Sequence, residues 1–297
     1  MLNRHSGSQL PFVIAAAGIG LFSIMDAFMK SLVLAMGVYN ALVWRTGTSV
    51  IFGALAWRAS GGGGWPSRRA LRLHLLRGGL TAGMATLFFW GLARVPMAQA
   101  IALTYVAPLL ALLLGALLLG ERVGRRVTGA SVAALVGVGV ILAGVSRASH
   151  DAGPEVLHGA AAIIASAILY ALNLIVARLQ SQAARPGEIA LIQSAVVTAI
   201  LLLAAPWLLH LPPAGEWWKI VAGAALATGS LFLLGWAYAH GEAGYLSTTE
   251  YTSFVYAAAL GWAVFGERVA STTLAGAAII VAACLYGARR PAPPPVA

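Results

Sequence analysis

The sequence predicts an all-α integral membrane protein whose ten transmembrane helices form two inverted five-helix repeats. Three observations carry that expectation. First, the 297-residue chain is 60% hydrophobic and 9% charged, with a mean hydropathy of +0.85. A soluble domain of that length cannot hide so much apolar surface, so a bilayer must cover it. Second, apolar runs of about twenty residues recur ten times, each enough at ~1.5 Å per residue to cross a hydrocarbon core of ~30 Å. Third, one stretch is written twice. Tyr105 is answered by Tyr251, Gly115 by Gly261, and Gly120-Glu121-Arg122-Val123 by Gly266-Glu267-Arg268-Val269, all at an offset of 146 residues. A shared spacing of about half the chain signals an internal duplication.

The segments are expected at 11–35, 39–57, 71–93, 97–119, 126–145, 157–179, 187–210, 217–239, 244–265 and 271–288. Segment one lacks a small-residue cleavage site followed by a soluble domain, so it reads as a retained helix rather than a signal peptide. Most linkers are a few residues long, which makes consecutive segments antiparallel neighbours. The linker 58–70 is longer and carries Gly61–Gly64 and Pro66. Segment four holds Pro108, which removes a backbone hydrogen bond and clashes with the carbonyl of Thr104, so a kink is expected there. Segments five and ten carry small residues every fourth place, Gly129, Ala133 and Gly137 in one, Ala278 and Ala282 in the other. Such spacing lets helix backbones approach closely in lipid, as a dimer face or as internal scaffold. Linker 146–156, with His150, Asp151 and Pro154, divides the chain into repeats at 1–150 and 151–297; the Pro-rich tail after Arg290 is expected to be disordered.

Five is odd, so the second repeat enters the membrane from the opposite side. With both termini in the cytoplasm, the inner side receives Arg4, Arg58, Arg68, Arg69, Arg72, Arg77, Arg122, Arg125, Arg126, Arg178, Arg185, Arg289 and Arg290. The outer side keeps Arg94, Arg147, Lys219 and Arg268. That asymmetry matches the positive-inside rule. It also explains the net charge of +10 without nucleic acid, since the basic residues lie in short loops rather than in one binding stripe.

Charged residues within apolar segments are functional suspects, because each costs at least ~2.5 kcal/mol at the bilayer centre on insertion scales. Asp26 and Lys30 stand four apart on segment one and are expected to neutralise each other as a structural charge pair. Lys30 and Arg45 lie near outer helix ends, where snorkelling is the alternative. Glu250 sits beside Tyr251 among Ser247, Thr248, Thr249 and Thr252, a polar cluster too dense to face lipid. Trp90, Tyr105, Trp236 and Tyr251 offer flat apolar faces with polar handles, and Gln99 and Thr104 add neutral hydrogen bonding. Substrate binding is therefore expected from Trp90, Gln99, Thr104, Tyr105, Trp236, Ser247, Glu250 and Tyr251, with gating at Pro108. For Trp90 and Trp236 an interfacial belt role stays open. His74, His210 and His240 read as interface residues and show no metal-ligand spacing. Cys284, the single cysteine, reads as packing. No metalloprotease, nucleophile-elbow or phosphate-loop motif is present, so no catalytic residue, metal or cofactor is assigned.

Met25-Asp26-Ala27 with Lys30, Arg45, Tyr105 with Pro108 leading into Gly120-Glu121-Arg122, and the second copy from Tyr251 to Arg268 together resemble the drug/metabolite transporter superfamily. Within it, the chain resembles the ten-helix EamA-type exporters, and most of all the bacterial aromatic amino acid exporters. The resemblance implies a secondary transporter, not an enzyme, that exports small amphipathic metabolites across the inner membrane by alternating access. Aromatic or neutral amino acids are the implied substrates, and the lipid bilayer is the other partner. It also implies a cavity faced by segments three, four, eight and nine, with five and ten packed behind. A drug or nucleotide-sugar type transporter of the same fold, or a membrane enzyme on lipid-linked substrates, remains the alternative. Monomer and dimer stay open. Relatives of this kind often carry a proline in both copies; here Pro108 is answered by Phe254, so the kink is expected in the first half alone.

Overall fold

The computed structural model describes residues 9–59, 66–119, 125–184, 186–241 and 246–288, and every regular element among them is helical. The linker glycines Gly61–Gly64, the first Gly120-Glu121-Arg122-Val123 block and the tail after Arg290 lie outside the described residues. Helix α1 (Gln9–Ala59) holds expected segments one and two as two arms joined at Gly37, whose φ of 78° and ψ of 160° break the helix. Nothing lies within 4 Å of where a Cβ would stand, so the glycine is needed there for its backbone alone. Helix α2 (Arg68–Leu92) starts at Ser67, whose hydroxyl accepts from the Ala70 amide at 3.1 Å. Then follow α3 (Met97–Thr104), α4 (Ala107–Leu119), α5 (Arg125–Ala152) and α6 (Glu155–Ser181). Helices α7 (Pro186–Leu202), α8 (Ala205–Leu208), α9 (Trp217–His240), α10 (Thr252–Phe265) and α11 (Ser271–Ala288) complete the chain. Among the described residues six helical stretches are long and apolar enough to cross a bilayer, by length and composition, one of them spanning α3 and most of α4 together, and α7 and α11 are shorter apolar helices. The outward surface carries large apolar side chains such as Ile51, Leu55, Leu117, Val136, Val255 and Trp262. In water this surface would be untenable; in lipid it is solvated.

The packing is reciprocal, as an inverted duplication requires. The first arm of α1 lies against α9, and its counterpart α6 lies against α2, so segment one meets eight as six meets three. Helices α5 and α11 pack together as expected, with Gly137 in the seam but with Gly144, Thr272 and Gly276 as its other small residues. A Cβ on Gly276 would come within 2.6 Å of the Gly137 carbonyl, and one on Gly144 within 2.1 Å of the Thr272 hydroxyl. Ala278 and Ala282 are exposed, because they stand about 200° around the helix from the buried Gly276, Ile280 and Cys284. Gly129 is exposed as well. Helix α5 also runs further than expected, to Ala152, and the turn is confined to Gly153 (φ 89°) and Pro154.

Three segments are interrupted. Segment four breaks at Tyr105-Val106, immediately before Pro108. Segment seven breaks at Leu203-Ala204, before Pro206, where the amides of both residues fall back to carbonyls three places earlier. The beginning of segment nine is wound as a 3₁₀ turn, Ser247–Tyr251. The kink is therefore not confined to the first half. At the position where the duplication puts Phe254 rather than proline, hydroxyls do the work. Thr249, Thr252 and Ser253 donate to the carbonyls of Leu246, Thr249 and Glu250 at 2.6, 2.6 and 2.5 Å. Each bond reaches back three residues and tightens the backbone.

Candidate functional site

The two breaks meet. Tyr105 ends α3 and Tyr251 precedes α10, and their rings pack edge to face with centroids 5.3 Å apart. The Tyr105 hydroxyl reaches the Ser253 hydroxyl at 2.8 Å and donates to the Tyr251 carbonyl at 3.2 Å. Breaking a helix in hydrocarbon strands carbonyls that must find donors. The Tyr105 carbonyl finds one in the Cys284 thiol, at 3.5 Å, so that cysteine does more than fill space. Thr104 turns its hydroxyl back onto the Ile101 carbonyl at 2.7 Å. The repeat-related tyrosines thus lock one half of the molecule onto the other.

Glu250 lies in the turn before α10 with its side chain exposed, and its carboxylate has no hydrogen bond or ion pair among the described residues. The charges and hydroxyls within its electrostatic reach are Tyr170 on α6, Tyr238 on α9, and Tyr105 and Tyr251 at the breaks. With four phenols in its electrostatic reach and no cation paired to it among the described residues, this acid can receive a cationic group from outside. Arg77 acts on Tyr170 from the other side and is itself tied to Asn173 at 3.2 Å and Gln180 at 2.5 Å.

The structure redistributes several expected site residues. Trp90 lies at the end of α2 and stacks its ring 3.6 Å from the Arg94 guanidinium. It lines a separate cavity of about 660 Å³ between the Gly37 bend, α2 and Glu155 at the start of α6. Trp236 is exposed and stacks on His240, with centroids 4.2 Å apart. It stands two residues from Tyr238, so a helix turns the two to nearly opposite faces, and Tyr238 is the one beside Glu250. Gln99 is buried within α3. Nothing is described of the Ser247 side chain. His74, expected at an interface, is fully buried, 3.0 Å from Glu188 and 2.7 Å from Gln180. Arg77, counted as a loop charge, belongs inside this same network of α2, α6 and α7. Tyr170 and Tyr238 were visible as aromatic residues in the sequence; what was missing was the helix phase that aims them at Glu250.

The Asp26–Lys30 pair is not formed. Lys30 is bonded instead to Glu267, in the second Gly-Glu-Arg-Val block, and donates to the Val95 carbonyl at 2.8 Å. The other Glu267 oxygen accepts from the Met97 amide at 2.7 Å. Gly266, with φ 66°, sends the chain back so that Glu267 can reach in, and its amide and that of Glu267 cap Trp262 and Gly261 at 3.0 Å each. Gly261 leaves room for the carboxylate: a Cβ there would sit 2.6 Å from Glu267 Oε2. A local spacing of four loses to this long-range partner because Glu267 brings a hydrogen-bonded carboxylate to a nearly buried ammonium. Lys30, Val95 and Met97 belong to the first repeat and Glu267 to the second, so the cluster latches the repeats together at one end of the bundle. Among the described residues no three His, Cys, Asp or Glu side chains converge as metal ligands would.

The profile of the EamA-like transporter family matches residues 10–143 and again residues 157–286. The chain belongs to the EamA-like transporter family. A pseudopaline exporter of Pseudomonas aeruginosa is 28% identical over 269 residues, covering 89% of this chain and 90% of its own. A riboflavin transporter of Rhizobium johnstonii is 28% identical over 298 residues, covering 96% and 91%. An S-adenosylmethionine uptake transporter of Rickettsia felis is 28% identical over 223 residues, covering 72% and 70%. A crystal structure of a protein 22% identical superposes with a TM-score of 0.60 over 93% of this chain and 96% of that one, a likeness of fold. These relatives support an EamA-family membrane transporter of small metabolites. They do not support the narrower aromatic amino acid branch expected from the sequence.

Proposed function

We propose that this EamA-family protein is a secondary transporter that exports small amphipathic metabolites across the bacterial inner membrane. Residues 1–150 and 151–297 rock as two units about the Tyr105–Tyr251 contact, with both termini in the cytoplasm. The observation that carries the reading is Glu250: an exposed carboxylate without a cation among the described residues, with hydroxyls from both repeats in its electrostatic reach. A solute amine would pair with Glu250, its apolar part would lie against the tyrosine rings, and its polar atoms would meet the phenols. Neutral amino acids, aromatic ones included, fit that description. The relatives' names all denote transporters of metabolites, which supports the class of solute. Export rather than uptake rests on the exporter resemblance, and the arginine asymmetry supports the orientation alone.

Counterflow in proteoliposomes tests this, with a panel of neutral amino acids set against cationic dyes and amine-free metabolites. Amino acids are expected to exchange, and Glu250→Gln is expected to weaken their apparent affinity about tenfold, roughly 1.4 kcal/mol. Exchange of amine-free solutes alone, or an unaltered affinity in Glu250→Gln, contradicts the assignment.

A further inference from the structure

Asp26 is the charged group that the site described above leaves unused. It lies on the first arm of α1, is 4% exposed, and its Oδ1 has no hydrogen-bond partner. Arg45, on the second arm of the same helix, is the charge that acts on it, and the Arg45 Nε is likewise buried and unbonded. The two do not close into an ion pair. The Arg45 stem lies opposite Gly223 of α9, whose missing Cβ leaves 4.0 Å to Cδ, so the pair sits in the seam between both arms of α1 and α9. Other charges on the packed elements are committed elsewhere. Lys30, one turn along, is held by Glu267; Lys219 of α9 is bonded to Ser31 and Glu216. Glu188 of α7 is paired with His74, Arg77 of α2 is tied to Asn173 and Gln180, and Arg94 is paired with Glu155. Glu250 faces the tyrosines.

A polar group buried in a membrane bundle without a hydrogen bond is costly, and intramembrane carboxylates in such places mark ion and proton pathways. Here the ionised form of Asp26 balances Arg45, while protonation of Oδ1 breaks no hydrogen bond, so both forms have a place in the fold. We propose that Asp26 is a proton-binding site of this transporter, loading and releasing one proton per cycle with Arg45 as its fixed internal counter-charge. The step is balanced: the carboxylate takes a proton from water on one side, becomes a neutral carboxyl, and returns the proton to water on the other. Because Asp26 and Arg45 stand on the two arms that meet at Gly37, gaining or losing their attraction changes the force between those arms where α9 packs on them. Solute would bind at Glu250 and the proton at Asp26, two sites coupled through α1. This rests on the transporter reading but does not depend on the identity of the solute.

Two measurements test it. Infrared difference spectra of the purified protein between alkaline and acid buffer need no solute. One component of the protonated-carboxyl band is expected in wild type and in Glu250→Gln and is expected to be lost in Asp26→Asn. In proteoliposomes, using whichever neutral amino acid the wild type exchanges, Asp26→Asn is expected to keep counterflow and to lose stimulation by an imposed pH gradient. Identical carboxyl bands in wild type and Asp26→Asn, no titrating band in wild type, or undiminished stimulation by the gradient in the variant overturns the proposal. Should Asp26→Asn fail to fold, Asp26→Glu is used: a displaced band supports the assignment and an unmoved one overturns it. Failure of every amino acid to exchange, with the Asp26 band present, would count against the solute assignment and leave the proton site standing.

Discussion

A lysine ammonium inside a membrane segment costs about 2.5 kcal/mol or more on insertion scales unless something answers it. Lys30, with its side chain 5% exposed, is answered by Glu267 and by the Val95 carbonyl. Breaking such a pair from one side strands the other charge, which typically costs about 3–5 kcal/mol, whereas replacing both partners by apolar groups is often neutral. Lys30→Met is therefore expected to lower thermal stability sharply, and Lys30→Met/Glu267→Met to recover most of the loss. Thermal unfolding of the purified proteins decides this; a single variant as stable as wild type would show that the latch contributes nothing. Tyr105→Phe keeps the ring contact with Tyr251 and loses the hydroxyl's bonds to Ser253 and the Tyr251 carbonyl. About 1 kcal/mol of destabilisation is expected from the same assay. At this scale the sequence was informative about which residues carry buried charge or recur in the repeat and less so about whom they meet. Lys30, Tyr105, Glu250 and Tyr251 were evident from charge, repeat and polarity. The partner of Lys30 was not, because Glu267 is 237 residues away and the local spacing to Asp26 offered a nearer candidate.

Helices show the same division. Their all-helical character and many of their ends followed from apolar runs and short linkers, since membrane thickness fixes the length of each. The interruptions followed only where proline announced them. Pro108 lacks the amide that would bond the Thr104 carbonyl, and the helix gives way at Tyr105-Val106. The matching break before α10 was not legible, because serine and threonine within helices usually bond back without breaking them. Pro108→Ala restores an amide, and the expected protein folds and binds solute normally but turns over more slowly, as a continuous segment four cannot pivot at Tyr105. Counterflow rate against equilibrium binding separates the two effects; unchanged turnover with wild-type binding would reduce Pro108 to a matter of shape. The seam of α5 and α11 was expected from small residues at the right spacing, yet the phase on α11 was wrong by about half a turn. In lipid both faces of a helix are apolar, so composition alone does not tell the packed face from the solvated one.

Across the whole molecule, an odd number of segments per repeat explains the reciprocal packing of one on eight and three on six, and the positive-inside rule expects the arginine-rich loops on one side. In a Cys284→Ser background, which keeps a donor for the Tyr105 carbonyl, a cysteine at Gly62 is expected to be shielded from an impermeant thiol reagent in intact cells. One at Ala152 is expected to be labelled; the reverse pattern would invert the orientation. The central claim is that the two repeats move against each other about the Tyr105–Tyr251 contact, so that the Lys30–Glu267 end opens as the opposite end closes. Spin-label distances measured in nanodiscs test it most directly, with one pair at Ala93 and Arg268 beside the latch and another at Arg69 and Gln182 at the opposite end. The account predicts two populations in each pair, with solute and pH shifting the latch-side distance and the opposite distance in opposing directions. A single unvarying distance at both ends, or distances that lengthen and shorten together, would contradict it.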